Sequence, residues 1–176
     1  MKRFLLVDDE INVLHALQRT IKQNIREPEL RIEILTDPEQ AVLRCAEVSF
    51  DLVISDFRMP KMNGIEFLKQ VKALQPDAVR LMLSASSEFE TVVNAVNEAE
   101  VFRYIAKPWQ VEEIEESIRL ALARREEILG DRKLADEVRV QRGELTPQDR
   151  EAKRLEEEEP GITKVNWGPD GSVHLE

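Results

Sequence analysis

Five polar side chains of complementary chemistry stand directly after, or at the end of, apolar runs in this chain of 176 residues. They are three carboxylates, one hydroxyl and one ammonium group: Asp8, Asp9, Asp56, Ser84 and Lys107. Three carboxylates held close together repel one another and need a cation. A hard divalent ion with oxygen ligands suits such a set, and Mg²⁺ is the preferred candidate. The alternative for Asp56 alone is a turn residue, since aspartate is common in turns.

These side chains come together only if the apolar runs before them are strands of one parallel sheet. The runs are short and almost continuously apolar, as strands buried on both faces should be. We predict five strands, at Phe4–Val7, Arg31–Leu35, Leu52–Ser55, Leu81–Ser84 and Arg103–Ile105. Amphipathic stretches separate them and predict helices at Ile11–Ile25, Pro38–Val48, Gly64–Leu74, Glu88–Glu98 and Val111–Leu129.

Strict alternation of strands and helices predicts an α/β fold, doubly wound, with a five-stranded parallel sheet and helices on both faces. In such a sheet all strands end at the same edge, where α/β proteins bind their ligands. The five polar side chains should therefore converge there. Three unrelated turn residues become a poor explanation once Ser84 and Lys107 fall on the same edge.

Composition narrows the classes of function. The net charge of −10 argues against a nucleic-acid-binding surface, which needs clustered Lys and Arg. The single cysteine, Cys45, excludes an internal disulfide, fits a reducing cytoplasm, and lies in an apolar helical pattern that predicts a buried side chain. No apolar segment approaches the length of a membrane span, and the apolar run at the N-terminus is too short for a signal peptide.

The set of residues resembles the receiver domain of response regulators, of the chemotaxis-regulator type, over about residues 1–125. The matching motifs are the acidic pair Asp8–Asp9, the phosphoacceptor Asp56, the loop residues Pro60 and Gly64, the hydroxyl residue with its small neighbour Ser84–Ala85, the switch aromatic Tyr104, and Lys107–Pro108. No motif position of the family is missing. The resemblance implies the strand order 2-1-3-4-5.

The resemblance also implies roles for these residues. Asp56 would accept a phosphoryl group, while Lys107 and Ser84 would bind its oxygens. Mg²⁺ would be held by Asp8, Asp9, Asp56 and the backbone carbonyl of Arg58. Ser84 and Tyr104 would form the switch that alters the surface of the fourth predicted helix, fifth strand and fifth predicted helix. The Lys107–Pro108 bond is cis in the family.

We therefore expect a cytoplasmic phosphoacceptor that autocatalyses its phosphorylation and dephosphorylation, without a separate catalytic domain. The expected partners are a sensor histidine kinase or phosphotransfer protein and an unknown downstream protein, with no nucleic acid and no membrane. A homodimer is an open alternative. Three other functions stay open: a receiver truncated from a regulator of an output enzyme such as a cyclic-dinucleotide phosphodiesterase, a phosphate shuttle, and, less favoured, a DNA-binding transcription regulator.

Residues 130–176 have few core-forming side chains, so we predict a receiver domain at 1–129 and an acidic extension at 130–176. Leu134 and Val138 predict a second helical piece beyond Gly130. Thr146 and Pro147 predict a helix start, as N-cap and first helical residue. Alternating apolar residues around "GPDG" predict a β-hairpin at 162–175. No basic recognition helix follows Thr146, which argues against DNA binding.

Overall fold

The computed structural model describes residues 1–85, 93 and 97–158. Five strands are present: β1 Lys2–Val7, β2 Leu30–Leu35, β3 Leu52–Asp56, β4 Val79–Ala85 and β5 Arg103–Lys107. The helices with defined bounds in this part of the chain are α1 Ile11–Asn24, α2 Pro38–Glu47, α3 Gly64–Leu74, α4 Val111–Gln141 and α5 Pro147–Glu158. No helix among these residues is long and apolar enough to span a bilayer.

The strands form one parallel sheet in the order β2-β1-β3-β4-β5, which confirms the predicted fold class and strand order. β3 lies at the centre, paired with β1 on one side and β4 on the other. β2 and β5 are the two outer strands of the sheet. The register pairs Val7 with Ser55 and Ala85 with Lys107, so the ends of these strands lie side by side.

Alternation of side chains along the strands builds a core on each face of the sheet. On β1, Leu5 and Val7 pack with α2 and α3, in a cluster that includes Phe67. Phe4 and Leu6 pack on the other face, with α1 and α4. Cys45 belongs to the first cluster and is 1% exposed, as predicted, and burial raises the pKa of its thiol to about 12.

Capping residues determine where two of the helices begin. The Asp37 carboxylate accepts a hydrogen bond from the backbone N–H of Glu39 at 2.9 Å, with Pro38 as the first helical residue of α2. Asn63 and Glu66 form a reciprocal capping box at the start of α3. Both starts were predicted, and α3 has the predicted bounds.

The main difference from the prediction is the length of α4, which continues through Gly130 to Gln141. Glycine in a helix interior costs only about 1 kcal/mol relative to alanine, and strong helix formers flank it here. A Cβ atom built on Gly130 meets nothing within 4 Å, so the site is open. One glycine was therefore too weak to end the helix.

The remaining predictions concern the residues after α4 and the predicted helix Glu88–Glu98. The predicted start at Thr146 is confirmed, because its hydroxyl accepts a hydrogen bond from the Asp149 N–H at 3.1 Å at the start of α5. The hairpin at 162–175 and most of the predicted helix Glu88–Glu98 lie outside the described residues.

Candidate phosphoryl-transfer site

The carboxyl edge of the sheet brings the sequence-predicted side chains together. Asp8 directly follows β1, Asp56 ends β3, Ser84 is the penultimate residue of β4, and Lys107 ends β5. Because the strands are parallel and in register, these positions share one edge. The side chains thus come from four separate strand ends.

The three carboxylates form a compact cluster. One oxygen from each of Asp8, Asp9 and Asp56 lies within 4.8 Å of the others. Asp8 and Asp56 are 1% and 7% exposed, whereas Asp9 faces solvent. The Asp8 carboxylate also accepts a hydrogen bond from the backbone N–H of Glu10 at 2.9 Å, which fixes its orientation.

Lys107 is the counter-charge within this cluster. Its Nζ atom lies 2.7 Å from Asp8 Oδ2 and 2.8 Å from Asp56 Oδ1. The ammonium therefore donates to both buried carboxylates, in short charge-assisted contacts. The Lys107–Pro108 peptide bond is cis, as the resemblance implied. Three ionised carboxylates and one ammonium leave the site with a formal charge of −2.

The buried charges shift one another's protonation equilibria. Burial raises the pKa of Asp56, and the negative charges of Asp8 and Asp9 act in the same direction against the opposing effect of Lys107. Burial lowers the pKa of Lys107, but hydrogen bonds to Asp56 and Asp8 outweigh it and leave that pKa above its usual value. The lysine is thus held as a cation.

Ser84 and Tyr104 lie next to this cluster on β4 and β5. Ser84 is fully buried, and its hydroxyl lies 3.4 Å from the carbonyl oxygen of Ala85. The Tyr104 hydroxyl donates to the carbonyl oxygens of Ala85 and Ser84, at 3.1 and 3.2 Å. A contact between the two proposed switch residues is therefore present, through the backbone of β4.

The loop between β3 and α3 packs directly under Asp56. Gly64 donates its N–H to the Phe57 carbonyl at 2.7 Å. A Cβ atom on Gly64 would lie 2.1 Å from the backbone oxygen of Asp56, so no larger residue fits this approach. Lys61 in the same loop has a left-handed backbone (φ 67°) and lies 3.3 Å from carboxylate oxygens of both Asp37 and Glu39.

The donor set suits Mg²⁺. Carboxylate oxygens are the ligands that this ion prefers, and it binds through one or two of them together with water and phosphate oxygens. Asp8, Asp9 and Asp56 supply such oxygens within reach of one another, and the formal charge of −2 matches a divalent cation. Arg58, whose carbonyl was assigned to the metal, lies two residues after Asp56 and has an exposed side chain.

One buried charged residue had no place in the sequence interpretation. Arg80 on β4 is only 5% exposed and donates to the backbone carbonyls of Ala78, in the loop before β4, and of the helical residue Ala99. The available signal was an arginine inside the apolar run "AVRLML". Its charge instead led us to begin this strand at Leu81, two residues later than observed.

Comparison with known proteins identifies the family of this chain. The family of response regulator receiver domains matches residues 4–119. The hydrogenase transcriptional regulatory protein HoxA of Bradyrhizobium diazoefficiens is 36% identical over 118 residues, covering 67% of this chain and 23% of that protein. The chain thus spans about a quarter of the length of that curated relative.

The fold of this chain also matches solved structures. A protein from Rhodopirellula baltica described as an adenylate cyclase aligns with a TM-score of 0.68 and 28% identity, over 77% of this chain and 97% of that one. The signal receiver domain of an HD domain-containing protein from Pseudomonas fluorescens Pf-5 aligns with a TM-score of 0.67 and 28% identity, over 73% and 92% of the two chains. This chain belongs to the response regulator receiver domain family.

Proposed function

We propose that the carboxyl edge of the sheet is a phosphorylation centre and that Asp56 is its phosphoacceptor. The observation that carries this proposal is the placement of Asp56, a nearly buried carboxylate at the end of the central strand, 2.8 Å from the Lys107 ammonium. A buried charge cluster at the ligand-binding edge of a parallel sheet is unlike a structural turn.

The reaction is a transfer from a phosphohistidine of the kinase or phosphotransfer protein. A carboxylate oxygen of Asp56 attacks phosphorus, a P–O bond forms and the P–N bond breaks. The histidine nitrogen keeps the electron pair and takes up a proton. Catalysis consists mainly of positioning and of stabilising negative charge on the phosphoryl oxygens. Lys107 and Ser84 are placed to bind two of these oxygens, after Lys107 exchanges a carboxylate for the phosphoryl group.

Asp8, Asp9, Asp56 and the backbone carbonyl of Arg58 would hold Mg²⁺ in this site. When bound, the ion supplies positive charge that offsets the repulsion between the carboxylates and the incoming phosphoryl group. The rest of the chemistry belongs to the chain itself: burial excludes water around Asp56, and Lys107 orients the two buried carboxylates. Hydrolysis of the resulting acyl phosphate at the same site would reset the protein.

The new dianion would bias a switch built on Ser84 and Tyr104. The Tyr104 hydroxyl is bonded to the carbonyls of Ser84 and Ala85, so movement of Ser84 toward the phosphoryl group alters the partners of Tyr104. The surface around β5 and the start of α4 would then change its affinity for a downstream protein. Phosphorylation would thus shift the populations of two conformations of this surface.

The output of the pathway stays open between two arrangements. In the first, the switched surface of this chain binds a separate downstream protein. Residues 130–176 then form an acidic extension of the receiver unit 1–129. In the second, it is the receiver of a longer regulator: HoxA is named a transcriptional regulator, and the Pseudomonas fluorescens structure is the receiver of an HD domain-containing protein. The net charge of −10 disfavours direct DNA binding by this chain.

Intact-mass measurement of the purified chain tests the proposal. Acetyl phosphate with Mg²⁺ should add one phosphoryl group to the wild-type protein and none to Asp56→Asn. Asp51→Asn is the matched control, because Asp51 is a partly buried aspartate at the amino edge of the sheet, just before β3. It is paired with Arg125 at 3.4 Å. It should be labelled like the wild type.

Two outcomes would contradict this proposal, one for the acceptor residue and one for the divalent ion. Undiminished labelling of Asp56→Asn would show that another group accepts the phosphoryl group. Labelling of the wild type that persists in excess chelator would show that the carboxylates do not act through a divalent ion.

A further inference from the structure

Arg80 is a buried cation whose guanidinium binds mainly backbone carbonyls. Its Nε donates to the carbonyl oxygen of Ala99 at 3.0 Å, and its Nη1 donates to that of Ala78 at 2.6 Å. Longer contacts reach the carbonyl oxygens of Pro76 and Glu100, at 3.4 and 3.5 Å. The guanidinium thus ties the loop between α3 and β4 to the segment that leads into β5.

A charge in this position is costly unless it has a specific partner set. Burial lowers the pKa of Arg80, with the charges of Glu100 and Asp77 opposing that effect. The Glu100 carboxylate is 3.9 Å from Nη2, and four backbone carbonyl oxygens lie within hydrogen-bonding distance of the guanidinium. A leucine at this position of an apolar strand would avoid that desolvation cost. The arginine therefore does something a core residue cannot do.

The segment that Arg80 holds is itself under conformational strain. Glu100 adopts a left-handed backbone with φ 49°, which is unfavourable for a residue with a side chain. Its carboxylate is paired with Lys72 of α3 at 2.7 Å, and the neighbouring Glu98 with Lys69. Such a conformation persists where the surroundings fix it, and three cations from two elements do so here.

This segment sets the start of β5, and β5 is an edge strand. The Phe102 N–H donates to the Arg80 carbonyl at 2.8 Å, so both the side chain and the backbone of Arg80 hold the entry to the strand. β5 pairs with β4 on one side only and has five residues. Its other end carries Lys107, whose ammonium lies between Asp8 and Asp56.

We propose that Arg80 is a positioning residue for the proposed phosphorylation site: by fixing the start of β5, it places Tyr104 beside the end of β4 and the Lys107 ammonium beside Asp56. Arg80 does not touch the reacting groups and acts through the strand. A strand of five residues held at its start transmits that placement to its end, because the parallel register from Leu81–Arg103 to Ala85–Lys107 is continuous. The effect on phosphorylation rests on the function proposed above.

The test combines two readouts on Arg80→Met and on the milder Arg80→Lys. Native-state hydrogen exchange compares amides of β5 with amides of β1. A merely structural role lowers the protection of both strands by the same factor, whereas a positioning role lowers that of β5 more. The second readout is the rate of Asp56 phosphorylation by acetyl phosphate per folded molecule, which we expect to fall by about tenfold in Arg80→Met.

Two control variants separate the alternatives. Leu17→Ala destabilises the core on the α1 side of the sheet and should reduce protection of both strands alike, with an unchanged rate per folded molecule. Lys72→Gln removes the exposed pair with Glu100 and keeps the carbonyl contacts of Arg80, so its effect on both readouts should be much smaller than that of Arg80→Met. Equal loss of protection in β1 and β5, or an unchanged phosphorylation rate in folded Arg80→Met, would overturn the inference. If the wild type is not phosphorylated at all, the proposed function fails, and hydrogen exchange still decides the role of Arg80.

Discussion

At the scale of single residues, the decisive feature is that one ammonium serves two buried carboxylates. Lys107 neutralises part of the charge of Asp8 and Asp56, which are two of the three carboxylates proposed to hold a divalent cation. Lysine and cation are therefore competitors for the same partners. A phosphoryl group on Asp56 would give the ammonium a third anionic partner. Lys107 could then exchange one of its carboxylate partners for the phosphoryl group.

Replacement of Lys107 by methionine should destabilise the protein and strengthen its response to Mg²⁺. Two buried carboxylates lose their counter-charge, but the Lys107 side chain is 23% exposed, so we expect a loss of about 1–3 kcal/mol rather than the larger cost of a fully buried pair. A cation that binds only the folded state then stabilises it more than in the wild type, because the ammonium no longer competes. Urea unfolding with and without Mg²⁺ measures both effects.

Lys61→Met is the matched control, since Lys61 is an exposed lysine that pairs with Asp37 and Glu39 outside the cluster. It should unfold like the wild type with and without the ion. Equal stabilisation by Mg²⁺ in Lys107→Met and the wild type would contradict the competition.

The residue types at the strand ends were predictable, because each polar side chain closes an apolar run. The contacts were not. Nothing in the spacing of Asp8, Asp56 and Lys107 shows that the ammonium bridges both carboxylates. Arg80 escaped prediction for a physical reason: a charge within an apolar strand signals either an exposed edge or a set of buried carbonyl partners, and only the folded chain distinguishes the two.

At the scale of secondary-structure elements, the start of α3 determines how closely the helix approaches Asp56, the proposed phosphoacceptor. The backbone of Asp56 and Phe57 lies against Gly64, and the capping box of Asn63 and Glu66 fixes the first turn of α3. The helix and the end of β3 are therefore one rigid unit. The bounds of α3 followed from the amphipathic pattern of Gly64–Leu74, but the contact with Asp56 did not.

Gly64→Ala and Gly130→Ala are matched variants that should change the free energy of unfolding in opposite directions. The first places a Cβ atom 2.1 Å from the Asp56 carbonyl oxygen and forces the backbone apart, so we expect a loss of about 2–4 kcal/mol and slower phosphorylation. The second adds a methyl group in open space inside α4 and should stabilise by about 0.5–1 kcal/mol. Denaturant unfolding of both variants gives the comparison. Destabilisation by Gly130→Ala would contradict a continuous α4.

At the scale of the whole molecule, the C-terminal part of α4 and helix α5 contact the amino edge of the sheet, opposite the proposed phosphorylation site. Arg132 on α4 pairs with Asp77, between α3 and β4, and with Glu157 of α5 at 2.9 Å. The Ser49 hydroxyl donates to the Glu157 carbonyl. These polar contacts link three distant parts of the chain, and sequence could not show them, because charged residues of α5 repeat without a distinctive pattern.

Arg132→Gln should weaken the attachment of α5 to the amino edge of the sheet while leaving the sheet folded. Arg132 is 40% exposed, so its pairs contribute only about 1 kcal/mol or less to global stability, but they are the links between α5 and Asp77. We expect faster hydrogen exchange in α5 and unchanged exchange in β1–β4. Arg139→Gln is the control, because Arg139 lies on the same helix and pairs with Asp136 at 3.5 Å. Equal protection of α5 in both variants would contradict the link.

The most direct test of the central claim locates the phosphoryl group in the wild-type chain. After treatment with acetyl phosphate and Mg²⁺, borohydride reduction converts an aspartyl phosphate into homoserine, and peptide mass spectrometry identifies the residue that has changed. We predict homoserine at position 56 only, and none when Mg²⁺ is removed by a chelator. Homoserine at position 8, 9 or 51, or none at position 56, would contradict the assignment of Asp56 as the phosphoacceptor.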